Sequence, residues 1–284
     1  MDIGVLYGLV AMLGFGLHNS LLQAPSRGLG VNRTLFFRGV MTTLLLFLAL
    51  LFSLPSSFDY FQLAIAVGVS VLGYFPLALF LKALKTGKVG VVVPIANSFA
   101  VFAVLFSFLL FGESLALLQL VAISLIVVGI ALLSLNFQDL RSSAIFNPLS
   151  GVLLALGASI LWALFYVLSK IPVSFFGPIL PALIGEVVIL VITAGVMARE
   201  RQGFGGPGKH ARGIFLLASL AVAAALAFNQ GIKGSMVSLV VGVTAASPLV
   251  SVVYSRVFYG EKLSGQQYLA VALTVVGLVL VALA

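Results

Sequence analysis

The chain has 284 residues, of which 62% are hydrophobic and 8% charged, against about 25% charged in a soluble domain, and its mean hydropathy is +1.27. So few charges could not cover a soluble surface, which excludes a soluble fold. The net charge of +8 sits in the gaps between apolar blocks, so it reads as orientation against a membrane and not as a nucleic-acid surface. With no cysteine, disulfides, thiolate nucleophiles and Cys-ligated metals are excluded.

Ten apolar blocks follow in order, each long enough to cross a hydrocarbon core of about 30 Å as a helix. The first, 3–23, begins directly after Met1-Asp2 and reads as a retained span, not a cleaved leader. It carries Gly4 and Gly8 at GxxxG spacing, then His18, Asn19 and Gln23. Block 31–53 holds Arg38, and 62–84 holds Tyr74. Block 89–111 contains Pro94 followed by Asn97 and Ser98; Gly112-Glu113 then leads into 115–135. The connection 136–148, with Asp139, is too short for a soluble domain. Block 149–170 carries Trp162 and Tyr166, 175–198 carries Glu186, and 213–232 ends on Asn229 and Gln230. Block 236–258 contains Gly242, Thr244 and Ser247, and Gly260-Glu261 precedes the last block, 265–283. None alternates as barrel strands do. The expected fold is an all-α integral membrane protein of ten transmembrane helices.

A repeat runs through the blocks. An offset of 148 pairs Gly112-Glu113 with Gly260-Glu261, Lys85 with Lys233, Val89 with Val237, Ser107 with Ser255, Gln119 with Gln267, Gly129 with Gly277, Pro94 with Gly242 and Arg38 with Glu186. At the front of each half an offset of 147 pairs Gly4 with Gly151 and Phe15 with Trp162. This divides the chain into 1–140 and 141–284. Five spans per unit is odd, so two copies in tandem are inverted. The loop charges agree. In the first half Arg27, Arg33, Lys82, Lys85 and Lys88 lie in loops one and three, whereas in the second half Arg199, Arg201, Lys209 and Arg212 occupy the equivalent of a bare loop. Basic residues thereby stay on one face, as positive-inside logic predicts for inverted halves. Inverted repeats are typical of secondary transporters with a midplane site.

The stretch Ala83-Leu84-Lys85-Thr86-Gly87-Lys88-Val89 through Pro94, the two Gly-Glu turns, Phe37-Arg38, Phe15-Gly16 and Trp162 together resemble the drug/metabolite transporter superfamily, in its EamA-like ten-span form. The resemblance implies two pseudo-symmetric five-helix bundles around a cavity, movement of small metabolites, often as export, and both termini in the cytoplasm. The loop charges point the other way, placing both termini outside.

Among the seven acids, Glu186 alone lies well inside a span, where a charge costs about 2.5–3.5 kcal/mol. It is a candidate ion-coupling or cation-binding group, or else half of a buried pair with Arg38. Glu113 and Glu261 read as structural, each suiting the start of the following helix; Arg38 and Pro94 are structural too. The candidate substrate-binding set is His18, Asn19, Tyr74, Asn97, Ser98, Trp162, Tyr166, Asn229, Gln230, Thr244 and Ser247. Pro94 and Gly242 weaken helices at equivalent points, the sequence pointer to a transporter site. No zinc or aspartate-dyad constellation can be assembled from two histidines and one embedded acid, and Gly87-Lys88-Val89 is no phosphate loop. The sequence therefore reads as a non-enzymatic secondary transporter or facilitator of a small, amino acid-like organic solute. It works by alternating access in a prokaryotic plasma membrane, as a monomer or homodimer, with protons as the one candidate coupling ion, no cofactor and no nucleic acid. Spans one, three, four, six, eight and nine are expected to line the cavity. A lipid or isoprenoid-carrier translocase, or a non-transporting scaffold, is the alternative.

Overall fold

The computed structural model describes residues 2–55, 57–135 and 151–284. The 136–148 connection, Asp139 and the 140/141 boundary lie outside them. Among the described residues ten helices are long and apolar enough to cross a membrane: α1 Ile3–Leu29, α2 Val31–Leu51, α3 Tyr60–Thr86, α4 Val89–Phe111, α5 Leu117–Ser134, α6 Val152–Phe176, α7 Ile179–Arg199, α8 Gly208–Gly234, α9 Val237–Phe258 and α10 Gly265–Leu283. Helix is what lipid demands, because each backbone polar group must be satisfied within its own segment. α1 and α6 run several residues beyond the ends expected from sequence. Each breaks, at Leu22 or Ser169, and resumes as a short helix with Pro25 or Pro172 in its first turn, where a missing N–H costs nothing. α4 and α9 also break, between Asn97 and Phe99 and between Thr244 and Ser247.

The halves are related by an inverted two-fold visible in side-chain contacts. Gly129 on α5 faces Ala270 and Thr274 of α10, while Gly277 on α10 faces Ala122 and Ile126 of α5. Shifting either contact by 148 residues produces the other. The running order is opposed, so the helices cross antiparallel about the axis. Arg38 on α2 bonds Glu186 on α7, again 148 apart. A residue that touches its own image must lie close to the axis. α1 packs along α8 as α6 packs along α3. Lipid tails are as apolar as leucine, so such helices associate by close backbone approach at small residues, and these glycines allow it.

In one region the symmetry fails. The first half of α9, Val237–Thr244, is buried along its whole length and packs on the second half of α4 as well as on α5 and α6. The image of that arrangement would press the first half of α4, Val89–Asn97, onto the second half of α9, onto α10 and onto α1. Among the described residues those contacts are marginal or missing. The molecule is therefore shut between α4 and α9 on the face that carries Asp2 and the α4–α5 turn. It is parted there on the opposite face, which bears Arg27, Arg33, Lys82, Lys85, Arg199, Arg201, Lys209 and Arg212. We refer to these as the terminal face and the basic face.

Candidate functional site

The Gly-Glu turns of the two halves fold alike. Gly112 has φ 65° and Gly260 φ 66°, the left-handed conformation that glycine adopts without penalty. The next amide in each turns back on the helix, Glu113 N–H to Ser107 O at 3.3 Å and Glu261 N–H to Ser255 O at 3.4 Å. The side chains then diverge. Glu113 reaches across to the start of α9 and accepts from the Val237 and Ser238 amides at 2.8 and 3.0 Å, from the Ser238 hydroxyl at 2.8 Å and from Lys170 Nζ at 2.8 Å. Glu261 is exposed. The expectation that both acids serve the helices directly after them is corrected. The α5 start has its Ala116 amide bonded by Gln119, and α10 carries a Ser264–Gln267 capping box, so Glu113 is free to cap a helix of the other half.

Burial pushes the Glu113 carboxyl up, but the bonds from Lys170, Ser238 and Val237 outweigh burial and hold it below the usual carboxylate range. With the bound pKa depressed, the closure is at full strength above the ordinary carboxylate value and weakens as pH falls through the depressed one. Acidification should therefore loosen the α4–α9 seam. In a chain carrying the single substitution Ala103→Cys, at a fully buried seam position, maleimide labelling should rise as pH falls, after correction for thiol reactivity; a flat response would refute this.

A cleft of about 220 Å³ opens between α3, α6, α7 and α8, with Phe15 of α1 reaching it. Its wall is mostly apolar. Phe165, Tyr166 and Phe228 form an aromatic run, with Tyr166 5.2 Å from Phe165 and 5.2 Å from Phe228 between ring centroids. Its polar groups are Ser70, Ser169, Asn229 and Glu186. Asn229 donates to Pro178 O at 2.8 Å, which ties the end of α8 to the α6–α7 turn. Glu186 is engaged through both oxygens, by Arg38 Nη1 at 3.2 Å and Nη2 at 3.0 Å, a bidentate fork that suits guanidinium. The ion pair leaves the wall net neutral.

Of the sequence-derived candidates, the cleft gathers Tyr166, Asn229 and Glu186. The rest lie elsewhere. His18 is buried in α1, its Nδ1 3.2 Å from Asn19 Oδ1 and its Nε2 unpartnered, and Asn19 is exposed. Ser98 donates to Ile95 O and meets Ser159 at 3.1 Å. Asn97 is half-buried beside it. Trp162 packs against Phe80 and Phe99, and Tyr74 against Phe75. Thr244 is buried and Ser247 half-buried at the α9 break, and Gln230 is half-buried. The cleft draws on α7, which was not expected, and not on α4 or α9, because the broken segments of those helices lie at the seam. Sequence reasoning passed over Phe15, Ser70, Phe165, Ser169 and Phe228. It also passed over Lys170, although its position among so few cations off the basic face was a signal.

A model of the EamA-like transporter family matches residues 2–135 and again 149–283. The chain belongs to the EamA-like transporter family. A solved structure titled only "Crystal structure of protein" shares the fold, with a TM-score of 0.78 at 19% identity over 99% of each chain. No curated protein matches. As an EamA-like protein with ten apolar helices, the chain is a multi-pass integral membrane protein of a transporter family.

Proposed function

We propose that the protein moves a small amphipathic organic solute across the membrane by alternating access. One observation carries the reading: two halves related by an inverted two-fold make opposite use of the same seam, shut on the terminal face and parted on the basic face. Exchanging the two arrangements between halves would generate the oppositely open state, which is how inverted repeats produce alternating access. Positive-inside logic makes the basic face cytoplasmic, so this is a cytoplasm-open state with both termini outside.

The cleft supports a substrate with an apolar or aromatic body and a few hydrogen-bonding groups, such as an amino acid-like metabolite. Tyr166 and Phe228 offer ring faces, and Ser70, Ser169 and the outer lone pairs of Glu186 offer polar contacts. A polyanion does not suit a mostly apolar, net-neutral wall. Glu186, held through both oxygens by Arg38, serves chiefly to fix that wall; coupling to protons would require Arg38 to release it.

The test is uptake and counterflow in proteoliposomes across a panel of aromatic, aliphatic and polar metabolites. Tyr166→Ala should raise the half-saturation concentration of a transported solute roughly tenfold through lost stacking and burial, while the protein remains monodisperse. If no solute on the panel moves, the reading fails. If Tyr166→Ala is indistinguishable from the parent on a transported solute, the cleft is not the site.

A further inference from the structure

Glu113 and Glu261 stand at equivalent places in an inverted repeat, leave their helices through the same left-handed glycine turn, and differ in what they hold. Subtracting 148 from the residues that Glu113 binds gives the targets Glu261 would have: 237 becomes Val89 and 238 becomes Gly90. Those are the first two residues of α4, whose start shows no side-chain cap bond from its N-cap residue among the described residues. Among the described residues the Glu261 carboxylate has no partner; its backbone carbonyl accepts from Arg256 at 3.0 Å. The first half of α4 and the second half of α9, which would have to meet for Glu261 to reach its targets, are the segments that stand apart.

We infer that the two glutamates are alternate latches: Glu113 caps the start of α9 when the terminal face is shut, and Glu261 caps the start of α4, at Val89 and Gly90, when the basic face is shut. Each latch uses the pair of unpaired amides at a helix start, which favour a carboxylate. The inference rests on the alternating-access reading and adds the residues that hold each end state.

The latches are unequal. Glu113 also takes the Ser238 hydroxyl and Lys170. Gly90 has no hydroxyl, and the residue matching Lys170 at the front-of-half offset of 147 is Gln23. Three amide and hydroxyl bonds plus a cation oppose two amide bonds, so the resting protein stays shut on the terminal face and open on the basic face, as observed.

The chain has no cysteine, so introduced thiols report without background. Two reporters are used with no solute present. Ala103→Cys lies in the apolar cluster with Val237, Val240 and Val241 and should label only when the terminal face opens. The pair Val89→Cys and Lys262→Cys should cross-link only when the basic face shuts. Glu113→Gln should raise both signals, labelling by roughly tenfold, since charged hydrogen bonds are lost. Adding Glu261→Gln should bring both back towards the parent. If Glu261→Gln changes neither signal in that background, the latch assignment is overturned. If Glu113→Gln fails to fold, Glu261→Gln alone must lower the parent's cross-linking, and no change overturns the proposal equally. Because no solute is involved, a working latch in a protein that moves no panel solute would separate failure of the transport reading from failure of this one.

Discussion

Glu186→Gln should destabilise the protein by about 3–5 kcal/mol, because it strips the counter-charge from a buried guanidinium. Arg38 and Glu186 have side chains only 8% and 14% exposed, and Arg38 Nε has no partner of its own. Removing the carboxylate therefore leaves a mostly buried guanidinium without its counter-charge. Arg38→Met should be comparably damaging for the opposite sign of charge. The double variant Arg38→Met with Glu186→Leu should recover most of the loss, since a buried pair replaced by apolar residues of similar volume is often neutral or better. The exchanged pair, Arg38→Glu with Glu186→Arg, should also recover in part. Both residues sit near the two-fold and equally far into equivalent helices, so the exchange restores the same fork from the other side. Thermal unfolding in detergent, read with the monodisperse fraction, decides this: single variants as stable as the parent would mean that the pair contributes nothing to holding α2 and α7 together.

The α5–α10 crossing should be nearly as sensitive, and to a smaller change. A methyl at Gly277 would meet Ala122 O at 2.7 Å and Ile126 N at 3.0 Å. Those are backbone atoms of a helix, which cannot rotate away, so the helices must separate. Gly277→Ala should therefore cost about 1–3 kcal/mol, the usual range for overpacking. Gly68→Ala in α3 and Gly195→Ala in α7, where nothing lies within 4 Å of the added carbon, should be neutral or stabilising by up to about 1 kcal/mol, from helix propensity alone. Opposite signs for the same chemical change would tie the effect to the crossing. Equal effects at all three positions would sink the explanation.

Much of the fold could be read from the chain. The spans 89–111 and 265–283 match the structure at both ends; the Gly112 turn follows the first and the Ser264 cap precedes the second. α1 and α6 run past 23 and 170 because Pro25 and Pro172 fall in the first turn of a short continuing helix, where proline is tolerated. The ion pair was foreseeable because Arg38 and Glu186 are the embedded charges and share one repeat register. The cleft was less visible. Tyr166, Asn229 and Glu186 announce themselves as polar groups in apolar spans. Phe165 and Phe228 do not stand out among 23 phenylalanines, and Ser70 bonds Ala66 O within its own helix, as serines in membranes commonly do. The Glu113 contact was out of reach for a different reason. Its partners lie 124 and 125 residues away, and the turn that aims the side chain fixes a direction but not a target.

Since Arg38 and Glu186 are images of one another, their pairing has a consequence for how such a chain could be assembled. In a symmetric dimer of two identical five-helix chains, the residue on the axis meets a second copy of itself. Arginine would face arginine, or glutamate glutamate, in a medium that screens neither. Opposite charges can meet on the axis only when the two halves carry different sequences. The heart of this protein is therefore a feature that neither half could form with its own duplicate, and joining the halves in one chain ensures that each always meets its complement.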